Sequence, residues 1–231
     1  MVRSTFHDLT RILIVAASAA ITARGTNFTL TADGMSYLFH VDTKSGDLVS
    51  DHFGGPASDF MPPANINPSG WNDGLANLRR EFPDVGRSDP RLPAIHIEHA
   101  DGDTVSAFRY QSHNITQGKP TIQGFPATYG ESGDVTTLLV QLYDNVSDVS
   151  AALSYSIFPK YNAIARSFSI TNRGKTNGSG AIVIDRASSF STDFPNMDLE
   201  MIEPHGDWSH EFQTVRRRID YGETSCAHLS S

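Results

Sequence analysis

At 231 residues, with 39% hydrophobic and 10% aromatic content, the chain can bury a full core as one large domain or two small ones, which excludes a disordered polymer. A net charge of −8 repels phosphate backbones and anionic lipid, so no nucleic acid and no membrane surface is expected as a partner. The chain opens like an export signal: Arg3 and Arg11 bring positive charge, residues 12–21 form a short apolar run, and small residues around Ala19 and Ala23 offer cleavage sites. The run is too short to anchor in a bilayer. The structural alternative for residues 1–23 is a buried N-terminal strand or helix. Sequons at Asn27, Asn114, Asn145 and Asn177 fit an exported glycoprotein, whereas the proline in Asn67-Pro68-Ser69 disqualifies that one. Cys226 is the only cysteine, so no internal disulfide forms and stability must come from core size.

Alternation, rather than helical spacing, then governs the chain. Tyr37, Phe39 and Val41 share one face of a strand, and a turn at Lys44-Ser45-Gly46 leads into Asp47, Leu48 and Val49 as a hairpin. Residues 54–93 are rich in Gly, Pro, Asn and Asp and read as a long excursion between strands; within it, residues 73–82 are the one place for a short helix. Residues 137–143 suit a central strand. In residues 149–157 the odd positions are Val, Ala, Leu, Tyr and Ile, and three of the four even ones are Ser, which predicts one buried and one wetter face. Residues 164–171 repeat the pattern with Phe168 and Ile170 inward, and Pro159 marks a turn between these two strands. The pairs Asp33-Gly34, Ser45-Gly46, Asp101-Gly102 and Ser132-Gly133 each supply a residue tolerant of positive φ. Many short strands with Gly and Pro turns predict an all-β fold, a large antiparallel sandwich.

Three runs carry a resemblance: YLFHVDTKSGDLVSDHFGG at 37–55, RREFPDVG at 79–86 and LSYSIFPKY at 153–161. Together they resemble the N-terminal domain of fungal α-galactosidases of glycoside hydrolase family 36, from about Phe28 to Tyr221. The resemblance implies a supersandwich of galactose-mutarotase-like type over residues 27–222, a divergent tail at 223–231, and a catalytic (β/α)8 barrel beyond Ser231 as the missing partner. It also implies a galactoside-type sugar of the melibiose and raffinose kind as substrate of the whole enzyme, with full-length relatives homo-oligomeric. Surface shaped against the absent barrel is expected to favour association.

Retaining glycosidases need two carboxyl groups about 5–5.5 Å apart. The family's catalytic motifs follow barrel strands and nothing here matches them, so no catalytic residue is assigned, and neither cofactor nor metal is expected. Candidate sugar contacts are Asp51, His52 and Phe53, beside two glycines that permit close approach, together with Trp71; the alternatives are a glycine-closed strand end with Asp51 capping backbone amides, and a Trp71 plug beneath the loop. The arginines and acids of residues 79–84 are expected to pair, fixing the loop or docking it on the barrel. His96 and His99, three apart on a strand, point to opposite faces and read as surface histidines, and the histidines of residues 205–210 lack partners at ligand spacing. Arg216, Arg217 and Arg218 read as a solvated or carboxylate-paired edge. A free-standing carbohydrate-binding sandwich is the competing reading of the whole chain.

Overall fold

A computed structural model of the chain describes residues 20–57, 78–124, 128–131, 133–174, 181–194 and 198–219. The chain divides after Thr192 into a larger and a smaller unit. The larger contains two four-stranded antiparallel sheets. The first is a meander of β1 (Ile21–Arg24), β2 (Asn27–Thr31), β3 (Ser36–Val41) and β4 (Leu48–Gly54). The second runs β6 (Arg109–Gln117), β7 (Thr136–Asp144), β8 (Val149–Phe158) and β9 (Ala163–Asn172). Between them in sequence lies β5 (Ile95–Glu98), which pairs with β10 (Val183–Ala187). The smaller unit holds an antiparallel hairpin of β11 (Glu200–His205) and β12 (Gln213–Arg218).

The inward faces follow the alternation. Phe28 and Leu30 of β2, Tyr37, Phe39 and Val41 of β3, and Leu48 of β4 join one cluster with Leu138, Val140, Leu142, Ala151, Leu153, Tyr155 and Ile157 of the second sheet. Phe39 lies 4.9 Å from Tyr155 and Phe28 lies 6.4 Å from Tyr110, ring to ring, so the two sheets pack as a sandwich. Ile95, Ile97, Phe82 and Phe108 complete the core.

The expected hairpin between β3 and β4 is present, with Val41 opposite Leu48 and Gly46 at φ 77°. Of the four glycine turns, Gly46 and Gly102 use positive φ, while Gly34 and Gly133 do not. Central placement of β7 and β8 explains where burial exceeds simple alternation. Thr137 and Ser156 face each other across the pair and hydrogen-bond at 2.8 Å, so two hydroxyls are buried without loss of partners. Pro159 begins a single 3-10 turn, Pro159–Tyr161, and Asn162 leaves it in the left-handed region at φ 49°. Residues 73–77 of the expected helix lie outside the described residues. Residues 78–82 are not helical, and Arg80 instead forms an isolated bridge to Val49.

Candidate functional site

The end of β4 does not hold its three candidates alike. Asp51 is buried, and its carboxylate takes His40 Nδ1 at 2.9 and 3.0 Å across the β3–β4 pair instead of capping backbone amides. Burial pushes the Asp51 carboxyl up, against the pull of the His40 hydrogen bond and charge. His52 turns back on its own strand end, with Nε2 2.8 Å from the Gly55 carbonyl. Phe53 is 40% exposed and rests edge-on against Tyr37 at 5.2 Å. Trp71 lies outside the described residues.

At the start of β4, Asp47 joins residues 80–91 in an ion lattice. Arg80 is buried and reaches three carboxylates: Asp47 at 2.9 Å, Asp84 at 2.5 Å and Asp89 at 3.2 Å. Arg87 bridges the same Asp47 and Asp84 at 2.6 and 2.9 Å, and Arg91 takes Asp89 at 2.6 Å. Asp84 also accepts the Phe108 amide at 2.9 Å. Burial alone would raise the Asp47 carboxyl, but the Arg87 hydrogen bond and the charges of Arg80 and Arg87 hold it below the usual carboxylate range. Asp89 is held low in the same way, chiefly by Arg91 against its own burial. The lattice ties the start of β4 to residues 80–91, as the pairing expectation for residues 79–84 requires, and its acids are engaged in holding that connection.

Glu81, between Arg80 and Phe82, points the other way. Its buried Oε2 accepts the Tyr37 hydroxyl in a short contact and the Tyr155 hydroxyl at 3.2 Å, and it lies 4.0 Å from Arg166 Nη2. Arg166 Nη2 also donates to the Glu81 carbonyl at 2.7 Å. Burial raises the Glu81 carboxyl above the ordinary glutamate range; Arg166 and the two tyrosines offset only part of that. The tyrosine hydroxyls are pushed up as well, mainly by burial.

This group floors a pocket of 310 Å³ lined by Met35, Tyr37, Phe53, Tyr155, Asn162, Ile164, Arg166 and Phe190. Phe53 therefore reaches a cavity through its own ring, while Asp51 and His52 do not line it. Sequence reasoning expected Glu81 to pair within its segment but missed its partner Arg166, and it missed Phe190. The available signal was Arg166, which shares parity on β9 with the inward Phe168 and Ile170; a charge on an apolar face needs a partner.

The remaining candidates are structural. His96 lies 3.7 Å from Asp185, and His99 Nε2 lies 3.1 Å from the Val105 carbonyl. In the smaller unit, Arg216, Arg217 and Arg218 pair with Glu200, Glu203 and Asp198 at 2.5, 3.0 and 2.8 Å, a carboxylate-paired edge. His205 sits 3.2 Å from Glu203. Among the described residues there is no cluster of metal-ligating side chains.

Comparison with known proteins adds a consistent pattern. The family described as the glycosyl hydrolase family 36 N-terminal domain matches residues 46–230. Alpha-galactosidase 2 of Hypocrea jecorina is 51% identical over 210 residues, covering 90% of this chain and 28% of its own length. The GH36 alpha-galactosidase AgaB of Geobacillus stearothermophilus has a solved structure that superposes with a TM-score of 0.79 at 31% identity, covering 88% of this chain and 29% of that one. AgaA from the same organism, solved in complex with raffinose, gives a TM-score of 0.75 at 32% identity, covering 85% of this chain and 28% of that one. The chain thus spans a little over a quarter of the length of the relatives it matches.

Proposed function

The chain belongs to the glycosyl hydrolase family 36 N-terminal domains, and from that premise we propose that it is the non-catalytic β-sandwich of a secreted α-galactosidase. The whole enzyme would act on terminal α-galactosides of raffinose type, the kind of sugar with which AgaA has been solved. One observation carries the non-catalytic reading. The carboxylates of the resembled segments have internal partners: Asp47 and Asp84 the arginines, Asp51 His40, Glu81 the tyrosines, and Asp42 the Lys44 and Ser45 amides. Glycoside hydrolysis needs a carboxyl pair facing substrate from opposite sides of the scissile bond. Binding a sugar at Phe53 alone does not lower the barrier, since acceleration requires interactions stronger in the transition state. The purified chain is therefore expected to show no turnover of an aryl α-galactoside. Turnover that disappears on Asp51→Asn would place catalysis in this sandwich and overturn the reading.

Secretion is the second part of the proposal. Ala17-Ser18-Ala19 is a small-residue cleavage site, and cutting after Ala19 keeps β1, whose Ile21 is buried against the core. Cutting after Ala23 would strip most of that strand. Exported protein should begin at Ala20 and carry glycans at exposed Asn114 and Asn145. Asn27, half-buried within β2, is a poorer acceptor once folded, and Asn177 lies outside the described residues. N-terminal sequencing and glycopeptide mapping of exported protein test this; full-length, unglycosylated protein retained in the cytosol contradicts it.

A further inference from the structure

The pocket beside Phe53 has a polarity that its role in packing does not explain. Its lining includes four aromatic rings, from Tyr37, Phe53, Tyr155 and Phe190, with Met35 and Ile164. The hydroxyls of Tyr37 and Tyr155 are committed to Glu81, which leaves their ring carbons to border the cavity. Arg166 is the one charged residue in this lining. Its guanidinium carbon lies 5.0 Å from the Tyr155 ring centroid and 5.7 Å from that of Phe190. The Arg166 side chain is only 6% exposed, and its Nη1 has no hydrogen-bond partner among the described residues. A buried N–H left unpaired is costly, so a ligand oxygen that accepts from it is favoured.

The charge of that ligand follows from Glu81. Arg166 Nη2 is already held by the Glu81 carbonyl at 2.7 Å, so the two-pronged fork that grips a carboxylate or phosphate is not free, and only Nη1 is left to donate. What suits the pocket is a neutral acceptor, not a carboxylate or phosphate. Asn162, which also lines the pocket, supplies a second donor: its Oδ1 accepts the Gly34 amide at 2.5 Å, which makes Nδ2 the donating end of that side chain. Two donors and a set of aromatic faces match a ring with several hydroxyls and an apolar C–H face. A volume of 310 Å³ is at the low end for small-molecule sites, about 300–1,000 Å³, and suits a single ring.

We propose that this pocket binds one neutral pyranose ring, its C–H face against Phe53 and Phe190 and its hydroxyl oxygens on Arg166 Nη1 and Asn162 Nδ2. Phe190 follows β10 outside any strand and is 46% exposed, and because Nη1 is buried, its ring would have to shift for a hydroxyl to reach the guanidinium. Such a site lies in the sandwich itself and stands or falls separately from the α-galactosidase reading, which depends on a domain elsewhere.

Titration of the isotopically labelled full chain with methyl α-galactopyranoside and methyl α-glucopyranoside, followed by amide and arginine side-chain NMR shifts, tests it. Saturable shifts at Met35, Phe53, Ile164, Arg166 and Phe190 are expected, with a Kd of about 1 mM, the affinity of a single weakly held ring. Met35→Trp, which fills the cavity from a half-exposed position, should abolish the shifts. Phe190→Ala should weaken binding about tenfold or more, a loss of roughly 1.4 kcal/mol. Wild-type unfolding midpoints for both variants would establish that the fold is kept. Shifts that fail to saturate, that map to Asp51 and His52 instead, or that survive Met35→Trp overturn the proposal. So does tighter binding of benzoate or phenol than of either pyranoside, which would make the pocket an anion or a purely aromatic site.

Discussion

Arg80→Met is expected to cost about 3–5 kcal/mol of stability, because it removes one cation from a buried cluster and leaves carboxylates behind. Methionine fills much of the arginine stem's volume, so the loss is electrostatic more than steric. Asp47, Asp84 and Asp89 all face Arg80, and Arg87 and Arg91 can compensate only in part. At about 2–4 °C per kcal/mol for a domain of this size, the thermal midpoint should fall by roughly 10 °C. The same cluster sets an acid limit. Asp47 and Asp89 have folded-state pKa values below their unfolded ones, so their contribution is present above the unfolded carboxylate pKa and is lost as pH falls through the depressed folded value. Arg80→Met should blunt that acid loss as well as lower the plateau. Urea unfolding across pH measures both; a variant with the wild-type midpoint at neutral pH would show that the lattice is not what ties β4 to residues 80–91.

Removal of Glu81 should be comparably severe, with the opposite pH signature. Glu81→Ala leaves the Arg166 guanidinium without its carboxylate and strands the Tyr37 and Tyr155 hydroxyls, for a loss of about 3–5 kcal/mol. Glu81→Gln keeps an acceptor for the tyrosines and should lose less. The wild-type Glu81 carboxyl titrates above its unfolded value, so the folded state holds a proton that the unfolded state has released. Its contribution is fully present below the unfolded pKa and declines as pH rises through the folded one. The stability difference between wild type and Glu81→Gln should therefore shrink as pH rises through that window. A difference that is constant with pH would mean that Glu81 does not titrate within it.

What the sequence disclosed, and what it withheld, follows from physical range. Alternation in β8 was legible because Val149, Ala151, Leu153, Tyr155 and Ile157 repeat at the strand period, and all are buried. The β3–β4 hairpin was legible because Gly46 supplies the positive φ the turn requires. Partners far apart in sequence were not. Glu81 meets Tyr155 across 74 positions and Arg166 across 85, and no local pattern announces such a meeting. The same limit applies to Asp51. An exposed-looking acid beside two glycines is in fact buried, because His40 arrives on the neighbouring strand. Phe53 was identifiable as an accessible ring, but its pocket depends on Phe190, which follows β10 and meets it at 6.4 Å.

The reading of this sandwich as an accessory part of an α-galactosidase is tested most directly by exchange. The N-terminal portion of Hypocrea jecorina alpha-galactosidase 2 that matches this chain would be replaced by the chain itself, which is 51% identical over 210 residues. The quantity to measure is hydrolysis of an aryl α-galactoside by the purified hybrid. A scaffold that positions a catalytic domain without contributing chemistry should support kcat/KM within about tenfold of the parent, a difference of roughly 1.4 kcal/mol in transition-state stabilisation. A hybrid that folds to the parent's stability yet hydrolyses nothing would contradict the account.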